Sequence, residues 1–353
     1  MNIYILDRDF NILDVFSTYE SILWESVFNK PGTFKAVFIY TSKLNKHLQQ
    51  GNLLYKPDEE EPAIITRKYI KLNKYGEQTI TIQGYMASRY THQRIIWRKM
   101  VMKGTPEQIM YQMVNEQIVN PEDENRRMPN IVLGEYHDFN NAEVEKQISY
   151  ANLQESLTEV AKGPELGYRM RLDLERRKLV FEVLKGKDRT LGSEAPCIFA
   201  RAFRNVYTQE YQEDESNYYN TCLIGGPGED TDRILEVAGG GSGLDRYEMF
   251  YNAAGFSTDN INEDKLRRQL VQRGAEKLAG FPVAKSFEIK INKKRAMKFA
   301  LGDSVTCMDT EWGITENTQI KSIQKGYSKT EQSFVVTFGD EAPTLINLIK
   351  EKE

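Results

Sequence analysis

The sequence is poor in the residues that most catalytic and metal-binding chemistry needs. Its 353 residues include three histidines and three cysteines. His47, His92 and His137 lie 45 residues apart in unrelated contexts, and none has a second ligand two to four positions away, so no metal-site pattern forms. Cys197, Cys222 and Cys307 are odd in number, widely separated and without a Cys-x-x-Cys pairing, which argues against a disulfide framework. Small buried thiols in a reducing compartment are the expected reading. Neither a Gly-x-Ser-x-Gly elbow nor a His-Glu-x-x-His motif occurs.

Charge of one sign is missing too. The 51 acids and 47 bases leave a formal charge of −4, so no global field gathers DNA or anionic lipid, and any nucleic-acid role rests on a local patch. No apolar run approaches the roughly 18 residues of a membrane span. The N-terminus Met1-Asn-Ile-Tyr-Ile-Leu-Asp-Arg-Asp9 lacks the basic start and long apolar core of a signal peptide, so folding in a cytoplasm-like compartment is expected. Apolar residues at 40% and charged residues at 28%, with 16 Phe and 19 Tyr, describe a globular protein long enough for two to four domains.

What is present reads as β structure at both ends with helices between. Ile3-Tyr-Ile-Leu6 and Ile12-Leu-Asp-Val-Phe16 flank a turn at Asp7-Arg-Asp9, and Thr33-Phe-Lys-Ala-Val-Phe-Ile-Tyr40 alternates as a half-buried strand does. Pro57-Asp-Glu-Glu-Glu-Pro62 is expected to be an exposed acidic loop, because two prolines and four acids cannot continue a strand. After Ala63-Ile-Ile-Thr-Arg-Lys-Tyr-Ile70 and a turn near Asn73 to Gly76, the strand Thr79-Ile-Thr-Ile-Gln-Gly84 leads into a short amphipathic stretch ending in Arg94-Ile95-Ile96.

Thr105-Pro-Glu-Gln108 carries a capping box with Pro in the first turn and opens a helix whose Ile109, Met110, Met113, Val114 and Ile118 form one buried face up to Asn120-Pro121. A second helix starts at Asn152, turns Leu153, Leu157 and Val160 inward and stops at Gly163-Pro164. A hairpin follows, Gly167 to Leu174 and Leu179 to Leu184, completing a small α+β unit. Strands return at Cys197 and Thr221, and Gly239-Gly-Gly-Ser-Gly243 is expected to be a hairpin connection between Ile234-Leu-Glu-Val-Ala238 and Tyr247-Glu-Met-Phe-Tyr251. A third helix is capped at Asn262, with Leu266, Leu270 and Leu278 on one side, and the remainder, from Phe287 to Phe338, is strand-rich.

Three segments invite a chemical reading. Gly225-Gly-Pro-Gly-Glu-Asp230 is outwardly a phosphate loop but lacks the Lys-Ser/Thr of a P-loop, and its acids would repel phosphate, so a turn is expected. Asp245 and Glu248 could pair as acid and base, although a spacing of three on a strand points them to opposite faces and Arg246 is an ordinary ion-pair partner. Arg89, Arg94, Arg98, Lys99 and Lys103, with Tyr90 and Trp97 among them, have the composition of a nucleic-acid contact. The chain has no overall basic excess, so a solvated basic face with buried aromatics is preferred. No catalytic, cofactor-binding or metal-ligating residue is assigned.

The order of these pieces resembles the tail-hub, or tail-associated, proteins at the tip of siphophage tails and prophage-derived tail particles. The likeness runs through Thr79 to Gly84 and Arg94-Ile95, then the Asn152-Leu-Gln-Glu-Ser-Leu157 helix with Gly167 to Asp173 and Leu179-Val-Phe-Glu-Val183. It continues through Lys187-Asp-Arg189, Tyr219-Asn-Thr-Cys-Leu-Ile-Gly-Gly226, Asp245-Arg-Tyr-Glu248 and Leu301-Gly-Asp-Ser-Val-Thr306.

The resemblance implies an α+β, predominantly β fold: two β-barrel-like hub domains with two inserted small α/β units. Residues 1–98, completed by strands from 195–228, would form the first barrel, 99–194 the α+β insertion, 229–284 the second α/β unit and 285–353 the second barrel. It further implies a homotrimeric ring at the virion tail tip, matched to a distal tail ring protein, with a tape-measure protein and tail-fibre or tip proteins as neighbours, DNA only as cargo in the lumen, and no cofactor. Because the sequence stops shortly after Phe338-Gly-Asp340, the hydrolase or receptor-binding extension of many relatives is not expected. Two other classes compete: a peptidoglycan hydrolase using Asp245 and Glu248, and a sugar- or nucleic-acid-binding module around Trp97, Arg94 and Arg98.

Overall fold

A computed structural model describes residues 2–139, 141–255, 262–291, 298–329 and 331–339, so Asp340 of the last motif lies outside the described residues. The fold is α+β and predominantly β, as expected, and the chain divides into two compact units. The first comprises Met1–Gln209 and Glu288–Phe338, and the second contains Glu210–Phe287.

The first unit is organised by a long antiparallel run of strands. Ser21–Val27 pairs with Thr33–Ile39 on one side and Ile314–Ser328 on the other, while Gln78–Met86 joins Thr33–Ile39 to Ala63–Leu72. Leu53–Tyr55, Ile3–Leu6 and Ile12–Phe16 extend the sheet. The period of two read from Thr33 onward is realised: Phe34, Ala36 and Phe38 are buried while Thr33, Lys35 and Ile39 face out. With Ile3, Ile5, Trp24, Ile80 and Ile82 they form one core.

Alternation fails at Ala63-Ile64-Ile65, where all three are buried, and the failure is informative. Ala63 and Ile65 enter the sheet core, whereas Ile64 joins Leu6, Leu53, Ala87 and Ile96 in a second core shared with the segment 100–185. A strand buried on both faces reads as a continuous apolar run. A bulge between Ile65 and Arg67 then ends the two-sided burial.

The second core belongs to helices α2 (Pro106–Val114) and α3 (Leu153–Lys162), numbered after the short helix α1 (Ser42–His47), and to the sheet formed by Ile131–Leu133, Lys178–Lys185 and Leu166–Asp173. Thr105 and Gln108 form the reciprocal capping box, and a π-helical turn, Asn115–Val119, carries the buried face on to Ile118. The apolar positions anticipated on both helices are buried. The outer edge of Leu166–Asp173 donates to the first sheet's connections: Tyr168 N–H to the Phe28 carbonyl at 3.0 Å, Met170 N–H to the Glu61 carboxylate at 3.2 Å and Leu172 N–H to the Glu60 carbonyl at 3.1 Å.

The reading of Pro57 to Pro62 as an exposed loop holds at Pro57, Asp58 and Glu60 but not at Glu59 and Pro62, which are buried. Lys56 is fully buried and Glu59 nearly so, because each charge has a partner: Lys56 Nζ lies 2.5 Å from Asp58 and 3.1 Å from Glu59, and Lys325 reaches Glu59 at 2.6 Å. Composition marks the loop as solvated, and pairing with Lys56 and Lys325 takes Glu59 inside.

In the second unit Thr221–Gly225 is the central strand, with Leu235–Gly239 antiparallel on one side and Glu248–Asn252 parallel on the other. The expected hairpin across Gly239 to Gly243 is therefore wrong. The glycine segment crosses the end of the central strand, and Asn220 holds the crossing: its carbonyl accepts Gly240 N–H at 2.9 Å, its Oδ1 accepts Tyr247 N–H at 3.0 Å and its Nδ2 donates to the Asp245 carbonyl at 2.6 Å. Positive φ at Gly239 and Gly243 permits the path. Helix α4 (Glu263–Leu278) covers one sheet face through Leu266 and Leu270 against Cys222, Ile224 and Ala238.

Gly84, on the strand Gln78–Met86 between Thr33–Ile39 and Ala63–Leu72, gives a direct test. A Cβ there would strike the Ile64 carbonyl and the Phe34 ring, while one at Gly76, in the turn with φ +85°, meets nothing within 4 Å. Gly84→Ala should cost about 3 kcal/mol in chemical denaturation and Gly76→Ala only about 1 kcal/mol, the difference separating steric collision from backbone strain.

Candidate interaction surfaces

The basic segment is the first candidate, and most of its side chains have structural partners. Ala87–Gln93 forms a 3-10 helix, and Arg89 donates to Gln154 of α3 at 2.9 Å while lying 4.6 Å over the Tyr85 ring. Arg94 Nε donates to the Arg126 carbonyl at 2.8 Å. Arg126 returns the contact, donating to the Ile95 carbonyl at 2.6 Å and Gln117 Oε1 at 2.8 Å, with its guanidinium 4.3 Å over the half-exposed Trp97 ring. Burial first, then the neighbouring Arg126, holds Arg94 below the usual arginine range.

Asn152 completes the bracket, donating from Nδ2 to the His92 carbonyl at 2.9 Å and bridging Ile95. Arg98 pairs with Glu122 at 2.8 Å in the open, and Lys99 and Lys103 are exposed. The structure thus brings together Arg89, Arg94, Trp97 and the unanticipated Arg126 as a brace between the first sheet and the helices. Nothing in sequence spacing announces Arg126, which lies 32 residues from Arg94.

The other sequence candidates do not converge. His47 ends α1, His92 lies in the 3-10 helix, and the backbone of His137 donates to Glu107 at 2.8 Å. Among the described residues no cluster of three or more His, Cys, Asp or Glu could hold a metal ion. All three cysteines are buried, and burial pushes the Cys197 thiol up to about 11, the direction opposite to that of a reactive thiolate. At Gly225 and Gly226 the carbonyls accept from Arg233 at 3.0 and 3.1 Å, so this segment receives a cation and is not arranged to cradle phosphate. Glu248 pairs with Arg246, while the Asp245 carbonyl serves the Asn220 crossing. The sequence also contains one Ser-x-x-Lys spacing, Ser322 to Lys325, whose lysine is committed to Glu59.

Exposed apolar area is the feature that internal packing does not absorb. On the second unit's sheet, Val237, Leu223 and Phe250 stand directly opposite one another across all three strands, on the face away from α4. They are 49%, 39% and 54% exposed, and Leu235 beside them is 50% exposed. Four aligned large apolar side chains on one face exceed the scattered exposure normal for a protein surface and make this face the candidate interaction surface. No helix among the described residues is long and apolar enough to cross a membrane.

The brace and the exposed arginine make opposite predictions. Arg126→Ala should destabilise the chain by about 2 kcal/mol, because it leaves the Ile95 carbonyl and Gln117 without their donor, and Arg98→Ala should change stability by less than about 0.5 kcal/mol. Thermal denaturation of the two variants side by side checks the contrast.

Compared with curated protein sequences, the chain has no match. Its fold is shared by a tail protein from Neisseria meningitidis, at 13% identity, 96% coverage of both chains and a TM-score of 0.60. A prophage MuSo2 tail protein from Shewanella oneidensis is similar at 14% identity, with 96% of this chain and 98% of that one covered and a TM-score of 0.57. The prophage tail protein gp18 from Listeria monocytogenes is 11% identical, with 100% and 98% covered and a TM-score of 0.56. A family model of siphovirus ReqiPepy6 Gp37-like proteins matches residues 2–340, and the chain belongs to that family.

Proposed function

We propose that this protein is a structural component of a phage tail tip, assembling as a homotrimeric hub ring that closes or extends the tail tube and attaches to the distal tail ring. The observation that carries the reading is the tail-protein fold, which extends over nearly the whole chain rather than one module of it. Membership of a siphovirus family agrees with it. In this reading 1–98, completed by strands from 195–228, and 285–353 supply the barrels of the ring, and the segments 99–194 and 229–284 are its inserted units. The tape-measure protein and tail-fibre or tip proteins are the neighbours, DNA passes only as cargo, and the virion tail tip is the place of action after assembly in the host cytoplasm.

The uncovered sheet face of the second unit supports an assembly role, since apolar side chains aligned across three strands gain by being covered. The use of Arg94 and Arg126 as a brace, and of Glu248 as a partner for Arg246, supports a protein without catalytic or nucleic-acid-reading duty.

Mass photometry at micromolar concentration should give three-chain particles, with threefold rings in electron micrographs. Replacing Val237 and Phe250 by Asp together should weaken assembly at least tenfold. A monomer throughout the concentration range overturns the reading, and so does cell-wall clearing in a zymogram that disappears in Glu248→Gln.

A further inference from the structure

Two open strand edges carry opposite charge. Ala63–Leu72 pairs with Gln78–Met86 as far as Leu72, but on its other side Leu53–Tyr55 reaches only Ala63 and Ile64. Gly51 and Asn52 continue that contact to Ile65, and among the described residues no further backbone group meets the outer edge over 67–72. A cleft of about 530 Å³ lies beside this stretch, lined by Asn45, Gln49, Gln50, Lys68 and Ile70.

The bare stretch is basic. Residues 63–76 include Arg67, Lys68, Lys71 and Lys74 and no acid. Among the described residues none of the four has a carboxylate partner. Lys68 donates to the Asn45 carbonyl at 2.7 Å, Arg67 donates to the Tyr69 hydroxyl at 3.3 Å, and Lys74 lies 4.9 Å over the Tyr75 ring. Tyr69, Ile70 and Leu72 are exposed between them.

Val206–Asp214 is the reverse. Among the described strands it pairs with Ala284–Ile291 alone. It carries Glu210, Glu213 and Asp214, Glu215 follows, and no Lys or Arg occurs over 205–232. Glu210 and Glu213 are exposed, and Glu213 is met by the exposed Lys285 at 3.5 Å.

Charge along an edge ordinarily prevents pairing, because like charges would be brought together. Each of these edges therefore rejects its own kind and accepts the other. In an antiparallel register that sets Lys68 opposite Glu213, Lys71 falls opposite Glu210, Arg67 opposite Asp214 and Ile70 opposite Tyr211. Directly opposed charges of unlike sign stabilise neighbouring strands.

We propose that the outer edge of 67–72 is a docking edge for Val206–Asp214 of a second copy of this chain, which lies along the cleft and adds a strand. The contact is heterologous: the basic edge of one copy takes the acidic edge of the next, and such contacts build a ring when their rotation closes. The number of copies rests on the hub-ring reading, to which this contact adds a specific pair of edges.

Reversing the two edges separately and together tests the pairing by mass photometry. Lys68→Glu with Lys71→Glu should weaken assembly at least about tenfold, and so should Glu210→Lys with Glu213→Lys, because each pair sets like charges opposite one another. All four substitutions in one chain restore unlike pairs at every contact and should recover assembly to within a few fold of the unaltered protein. The unaltered protein should also assemble less tightly at ~0.5 M than at ~0.05 M salt, a measurement that needs no variant. Three-chain particles that neither pair of reversals weakens, or that salt does not weaken, overturn the docking edge and leave the hub ring standing. So does a fourfold variant with unaltered circular dichroism that fails to recover assembly. A monomer at every concentration overturns both.

Discussion

A strand edge cannot be left bare inside a protein, and much of the first unit follows from how one such edge is satisfied. Among the described strands Leu166–Asp173 pairs with Lys178–Lys185 alone, on one side. Its other edge meets loops of the first sheet, and those loops must offer acceptors at every second residue. Phe28 and Glu60 do so with carbonyls, and Glu61 does so with a side chain. Because these acceptors sit in connections between sheet strands, the helical segment and the sheet share a core that takes Leu6, Leu53 and Ile64 from one and Met110, Leu157 and Phe181 from the other.

The same economy governs charge. Acids and bases nearly cancel over the whole chain, and in many places they cancel locally. Asp303 receives Arg189 at 2.7 Å, and Asp309 receives Arg201 through two bonds that hold its carboxyl down at about 2. Such pairs contribute little when exposed, yet at buried sites they fix which segment lies against which, because an unpaired charge would be costly there. A near-zero net charge here reflects internal pairing and leaves no field for a polyanion.

How much of this was legible depends on whether the information is local. The capping box at Thr105, the buried face of α2 and the alternation from Thr33 are properties of ten residues or fewer, and each is realised. The helix Ser42–His47 and the strands Val144–Ile148 and Val206–Asp214 went unread because their apolar residues are too few for a period to stand out from the polar background. The glycine crossing at Gly239 to Gly243 was misread because composition reports flexibility and not direction, and Asn220, which decides the direction, lies outside the segment. Arg126 and Glu61 escaped for the same reason: their roles are created by residues 31 and 109 positions away. Their own neighbours in the sequence carry no trace of those partners.

The pairing of Ser21–Val27 with Ile314–Ser328 sets a schedule for synthesis. The earlier strand leaves the ribosome about 300 residues before its partner exists, an interval of roughly 15 to 60 s at ordinary elongation rates. During that time Leu23, Trp24 and the strand's unpaired backbone are covered on one side only, by Thr33–Ile39. Maturation of this protein is therefore limited by long-range closure rather than by its fast local helices, and the nascent chain passes through a stage in which it can pair with the wrong copy.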